Sequence, residues 1–159
     1  MSTIQISNLR KTYGPLAAVD GVSLHIPAGT VFGLLGPNGA GKTTIFKCML
    51  GLARPGAGEV LYDGSPLVPA TFDRLAYVPE RSVLYEWMTV AEHVEMNRRA
   101  FSKFDPARAY ELLRQFNIDP RKRARALSKG MRTAVMVATA FARNADTLVL
   151  DEPTSGFPS

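Results

Sequence analysis

Apolar and polar residues alternate at the start of the chain. Ile4 and Ile6 are interleaved with Gln5 and Ser7, and Val22, Leu24 and Ile26 with Ser23 and His25. Successive side chains of a strand point to opposite faces, so both stretches predict strands with one buried face, the second starting just after an Asp20-Gly21 turn signal. Glu59–Tyr62 predicts a third short strand closed by Asp63-Gly64, and Leu75–Val78 a fourth that stops at Pro79. Thr30–Leu35 predicts a buried strand. Thr147–Leu150 is apolar on both faces, the pattern of a strand inside a parallel sheet. The helical stretches carry their own start signals. Thr44–Leu50 follows a glycine-rich loop. Thr89-Val90-Ala91-Glu92 is a capping box opening a helix toward Ala100. Asp105 caps and Pro106 begins another, with Tyr110, Leu113 and Phe116 at helical spacing. Ser128 caps a third that runs to about Arg143.

Composition narrows the class. A chain of 159 residues, 46% hydrophobic and 21% charged, is one domain of ordinary soluble make-up. Its longest largely apolar run, Ala134 to Ala142, is half of what a bilayer needs, and the first residues lack the pattern of a signal peptide. The single cysteine, Cys48, excludes an internal disulfide and fits a buried structural thiol in a reducing compartment, so a cytoplasmic protein is expected. The net charge of +5 lies partly in Arg121-Lys122-Arg123-Ala124-Arg125, which reads as a solvated face, with anionic lipid or nucleic acid as the alternative contacts. No aromatics interleave with these cations as a single-strand binding groove requires, so nucleic acid is not an expected partner.

The glycine-rich loop carries the chemistry. Gly36-Pro37-Asn38-Gly39-Ala40-Gly41-Lys42-Thr43 fits G-x-x-x-x-G-K-[ST], between a strand pattern and a helix pattern. Its glycines let the backbone curl until successive N–H groups face a phosphate chain. Lys42 brings a point charge to the terminal phosphates, and the Thr43 hydroxyl can ligate Mg²⁺. Thr44 follows in the same turn. A nucleoside triphosphate with Mg²⁺ is therefore the expected ligand. More than a hundred residues later, the apolar Thr147–Leu150 run delivers Asp151 and Glu152. Asp151 is placed to hold the metal through water and Glu152 to polarise an attacking water.

Together with further motifs, this set resembles the nucleotide-binding domain of the ATP-binding cassette (ABC) family. Leu127-Ser128-Lys129-Gly130-Met131 resembles the family's signature, Tyr77-Val78-Pro79-Glu80 its loop into the helical subdomain, and Asp151-Glu152-Pro153-Thr154-Ser155-Gly156 its second acidic motif. Tyr13, within Lys11-Thr12-Tyr13-Gly14, stands where the family stacks an aromatic ring on adenine. The resemblance runs from about residue 3 to residue 156. It implies an α/β fold: a phosphate-loop NTPase core, mostly parallel sheet with flanking helices, an N-terminal antiparallel β subdomain, and a helical subdomain at roughly 81–130 inserted in that core. It also implies a head-to-tail dimer with a second such domain, in which Ser128, Lys129 and Gly130 meet the γ-phosphate held by the other copy. A separate membrane permease follows as partner, which places the chain on the cytoplasmic face of the cell membrane. Tyr85, Trp87 and Met88 match the surface that receives the permease; local core packing is their alternative reading.

Three departures modify the expectation. Glu80 stands where the family most often has glutamine, offering Mg²⁺ a full charge and resembling subfamilies that serve exporters. Lys129 and Met131 replace a glycine and a glutamine of the commonest signature, with Lys129 read as pointing into water. After Gly156 come only Phe157-Pro158-Ser159, so the last part of the core and its switch histidine are expected to be missing, since His25 and His93 read as ordinary half-exposed side chains. Val31–Leu35 and Thr147–Leu150 would then lack a shared neighbour strand, and unsatisfied edge groups cost roughly 1–3 kcal/mol each when dry. That predicts a chain of marginal stability, weak nucleotide binding and little turnover. Alternatives to a transporter subunit are a soluble non-transport ABC ATPase and a nucleotide-binding relic without turnover.

Overall fold

The computed structural model describes residues 2–153, which divide into two compact units, one ending at Phe72 and the other beginning at Asp73. The motif residues Thr154, Ser155 and Gly156 and the tail Phe157–Ser159 lie outside the described residues.

In the first unit, β1 (Ile4–Tyr13) and β2 (Leu16–Ile26) form an antiparallel hairpin, paired from Ile4 with Ile26 to Tyr13 with Leu16. β3 (Ala57–Tyr62) adds on the other side of β1, and the short β4 (Ser65–Pro66) on β3. The alternation at the N-terminus gives the face predicted, with Ile4, Ile6 and Leu9 buried. The step from Ile6 to Leu9 breaks the alternation because the register shifts there, at Asn8 with φ 49°. Gly58, at φ 77°, crosses this bulge so closely that a Cβ would run into the carbonyl oxygens of Ser7 and Asn8. Asp63-Gly64 closes the next hairpin, both residues at positive φ. Asp20-Gly21 is not the turn expected from its sequence. The hairpin turns at Gly14-Pro15, and Asp20-Gly21 lies inside β2 beside a register shift, where Gly21 takes φ 71°. Such dipeptides suit bulges as well as turns, because both need a residue at positive φ. α1 (Lys42–Met49) buries Ile45, Cys48 and Met49, and the Tyr62 hydroxyl donates to the Met49 carbonyl at 2.7 Å. Burial raises the pKa of the Cys48 thiol, as a structural cysteine requires.

Residues 27–36 correct the sequence reading. The buried strand predicted at Thr30–Leu35 is absent. The segment has no strand pairing, and Val31 and Leu35 are 104% and 93% exposed. An apolar run becomes a strand only when a neighbour supplies ladder hydrogen bonds, and among the described residues none pairs with it.

In the second unit, β5 (Leu75–Val78) and β6 (Thr147–Leu150) pair in parallel, Leu75 with Thr147 through Val78 with Leu150. Between them come α2 (Val90–Ala100), α3 (Pro106–Gln115) and α4 (Lys129–Ala142). All three helices start at the residues foreseen. Thr89 accepts from the Glu92 amide while the Glu92 carboxylate accepts from the Thr89 amide, Asp105 accepts from the Arg108 amide, and Ser128 from the Met131 amide. Their apolar stripes meet in a core of Val90, Val94, Leu113 and Val135, joined by Ile118 from the loop after α3. Ala134, Ala138 and Ala142 recur every fourth residue of α4 and let α3 approach closely. Met136 and Ala140 on α4 cover Ala76 and Val78 of β5. Burying one such Leu or Val contributes about 1.5–3 kcal/mol. β6 pairs with β5 alone among the described residues. Its last residue, Leu150, is exposed, so its two-sided apolar pattern is only partly covered.

Candidate functional site

The first unit contains the phosphate loop. Gly39 and Gly41 sit at φ 82° and 86°, the left-handed region that side chains disfavour, and a Cβ on Gly41 would collide with the Ala18 carbonyl of β2. The loop is therefore curled and pressed onto the sheet at a position that only glycine fits. Gly41 is also the N-cap of α1 and offers no side-chain cap to it. A helix start without a capping side chain turns its N–H groups and partial positive charge toward whatever anion lies ahead. The Lys42 ammonium bends back over the loop, donating to the Gly36 carbonyl at 2.7 Å and the Pro37 carbonyl at 3.1 Å. Gly36, Pro37, Asn38 and Ala40 are exposed, whereas Thr43 and Thr44 are half-buried in the first turn of the helix. Tyr13 stands exposed at the end of β1, its ring 5.2 Å from the Lys11 ammonium.

The second unit contains the acid pair and the helix starts. Asp151, directly after β6, is 2% exposed. Its N–H donates to the Val78 carbonyl at 2.9 Å, and its Oδ2 accepts from the Tyr77 hydroxyl at 3.2 Å. Burial, then the Asp151 carboxylate, then Glu80 push the Tyr77 phenol up to about 12, so it stays a donor to Asp151 at any physiological pH. Glu152 is exposed and takes φ 49°. The other non-glycine residues found in that region are Asn or Asp, whose short side chains tolerate it. A glutamate held there costs on the order of 1–3 kcal/mol, and such strain concentrates at functional positions. Glu80 is exposed on the loop after β5. Ser128 accepts from the Met131 amide at 3.2 Å and so serves as the cap of α4; Lys129 points to solvent and Gly130 is half-buried beside it.

A family model described as ABC transporter matches residues 19–155. The chain belongs to the ATP-binding cassette (ABC) transporter family. It is 35% identical to a SkfA peptide export ATP-binding protein of Bacillus subtilis, over 98% of this chain and 68% of that one. It is 38% identical to a Nod factor export ATP-binding protein of Cupriavidus metallidurans, over 96% of this chain and 53% of that one. The chain thus spans about two-thirds of the first relative and about half of the second. Among solved structures, an ATP-binding subunit of an ABC transporter superposes with a TM-score of 0.86 at 30% identity, covering 96% of this chain and 67% of its own. These neighbours agree with an α/β phosphate-loop NTPase fold, and members of the ABC family bind ATP, generally with Mg²⁺.

Beyond the expected ABC motifs, the second unit holds residues that the sequence did not single out. Tyr77 was visible only as part of Tyr77-Val78-Pro79-Glu80, and its hydroxyl contact with Asp151 needs the β5–β6 register to exist. His93, expected to be half-exposed, is 1% exposed. Its Nε2 accepts from the Tyr85 amide at 2.9 Å, and its Nδ1 lies 2.8 Å from the Thr89 carbonyl oxygen. Beside an acidic residue on an amphipathic helix it looked like surface; the loop folding over it makes it core. His25, also expected to be half-exposed, is exposed. Arg132, one turn into α4, donates to the Leu127 and Arg125 carbonyls and to the Glu86 carboxylate at 3.2–3.3 Å, tying the signature turn to the aromatic segment before α2. That segment is not core: Tyr85 and Trp87 are 46% and 66% exposed, while Met88 is half-buried. The basic run reads as foreseen, with Arg121, Lys122, Arg123 and Arg125 solvated and Ala124 buried.

Proposed function

We propose that this chain is the ATP-binding subunit of an ABC transporter that powers a separate membrane permease from the cytoplasmic face of the membrane. The observation that carries the reading is the phosphate loop: two left-handed glycines, an α1 start with no side-chain cap, and Lys42 folded over the loop carbonyls. The donor set suits a triphosphate with Mg²⁺. Among the described residues, no cluster of three or more His, Cys, Asp or Glu is assembled to hold a metal by itself. Thr43 would ligate the ion beside the loop, and Glu80 and Asp151 are the acidic groups proposed for it. When bound, the ion neutralises charge on the transferring phosphoryl group. Lys42 and the loop amides hold the phosphates. Tyr77 keeps Asp151 oriented through its hydroxyl. Glu152 takes a proton from the attacking water. Ser128, Lys129 and Gly130 present the α4 N-terminus to the γ-phosphate on a second copy in a head-to-tail dimer. The relatives include proteins named for export and one named for import, and each is named as an ATP-binding protein. The exposed Tyr85–Trp87 pair is the docking face for the permease.

The test is nucleotide binding and hydrolysis by the wild type, Lys42→Ala and Glu152→Gln. Binding of a fluorescent ATP analogue is expected to weaken at least tenfold in Lys42→Ala and to persist in Glu152→Gln; unchanged binding in Lys42→Ala would sink the reading. Turnover by the isolated chain is expected to be low, because residues 27–36 reach the loop without strand support. That same observation favours a second reading, a nucleotide-binding chain without turnover. Measurable hydrolysis abolished by both substitutions would exclude it. Docking is checked separately, by loss of association with permease-containing membranes in Trp87→Ala.

A further inference from the structure

The aromatic segment before α2 has an anchor that the nucleotide chemistry does not use. Tyr85 and Trp87 lie with ring centroids 5.0 Å apart and planes at 40°. Exposed rings make an effective contact surface only if their backbone is already fixed, since ordering it on binding weakens association. The far end of the segment is fixed by backbone bonds: the Arg125 amide donates to the Glu86 carbonyl at 3.1 Å and the Ala124 amide to the Met88 carbonyl at 2.9 Å. The near end is fixed by a side chain, through the 2.9 Å bond from the Tyr85 amide to His93 Nε2. That bond sets the tautomer. Nε2 accepts, so the proton of the neutral ring is on Nδ1 and is donated to the Thr89 carbonyl oxygen, 2.8 Å away. Both ring nitrogens are engaged, and the imidazole lies nearly parallel to the Tyr85 ring, at 6.2 Å and 22°.

We propose that His93 is a positioning residue, which holds the Tyr85 backbone and thereby presents the Tyr85–Trp87 pair as a preformed face for the membrane partner. The inference rests on the docking role given above to that pair, and names the residue that keeps the pair in place. Leucine at this position would keep the burial but leave the Tyr85 amide without its acceptor. Glutamine can place an amide oxygen at about the reach of Nε2 and should restore the bond.

Trp87 is the only tryptophan in the sequence, so its fluorescence reports this segment alone. The experiment measures Tyr85 amide hydrogen exchange and Trp87 anisotropy in wild type, His93→Leu and His93→Gln, with the thermal midpoint recorded for each. His93→Leu is expected to speed Tyr85 exchange at least tenfold and lower the anisotropy, and His93→Gln to return both toward wild type. Unchanged exchange and anisotropy in a folded His93→Leu would overturn the proposal. Should that variant unfold, the imidazole ¹⁵N spectrum of the wild type decides. A protonated Nδ1 with a bare Nε2 at neutral pH supports the assignment, and the opposite tautomer or a cationic ring refutes it. None of these readouts needs a partner, so a failure of the docking role, seen with Trp87→Ala on membranes, is distinguishable from a failure of the His93 role.

Discussion

Residues 27–41 and 80–89 are both loops that lead into a helix, and they are built in opposite ways. The second is tied at each step. Tyr85 is bonded to His93, Glu86 to Arg125 and Met88 to Ala124, and Thr89 closes a reciprocal capping box with Glu92. The first has exposed apolar residues and ends at Gly41, which gives α1 no side chain to cap it. A helix start that satisfies its own N–H groups is finished as structure. One that leaves them to the exterior depends on an anion, which is why glycine at position 41 is a functional choice where threonine at 89 is a structural one.

The comparison is broken most severely by paired truncations. Leu113→Ala, in the fully buried helical core, is expected to cost roughly 2–5 kcal/mol, whereas Leu35→Ala should stay within about 0.5 kcal/mol. Urea denaturation of both variants checks it. A cost above about 1 kcal/mol at Leu35 would mean that residues 27–36 are packed in solution. Next in size is Gly41→Ala, which combines a left-handed φ with a Cβ driven into the Ala18 carbonyl. It should cost about 1–3 kcal/mol and weaken ATP-analogue binding, with Gly14→Ala as the milder control, left-handed but with open space around it.

Thr89→Ala removes one half of the capping box and should cost about 1 kcal/mol at neutral pH. Hydrogen bonds from the Thr89 amide and hydroxyl hold the Glu92 carboxyl below its ordinary value of 4.5. A depressed folded-state pKa means that the ionised box stabilises the fold above that value and loses its contribution as the pH falls through the folded-state one. The difference between Thr89→Ala and wild type should therefore shrink under acid, in a chemical-denaturation series from neutral pH downward. The smallest effect belongs to Glu86→Ala. Its exposed carboxylate pairs with Arg132, and the loss should be about 0–1 kcal/mol and vanish in high salt.

The helix starts at Thr89, Asp105 and Ser128 were legible in sequence because a cap is a local device, closed within three residues of itself. The phosphate loop was legible for the same reason, and so was the strand–turn at Asp63-Gly64. Legibility ended where a residue's state depends on something distant. The apolar run at Thr30–Leu35 looked as strand-like as Thr147–Leu150, but among the described residues only the latter has a partner, β5, to complete its hydrogen bonds.

By itself, the sequence determined the glycines that curl the loop, the caps that start three helices, the acids that follow β6, and with them the ABC family membership. Only tertiary structure decided which apolar run became a strand, that His93 lies under the aromatic segment, and that the Tyr77 hydroxyl orients Asp151. The physical reason is range. Backbone conformation and capping are settled by neighbours a few residues away, whereas burial and cross-strand hydrogen bonds need chain segments that are remote in sequence to meet.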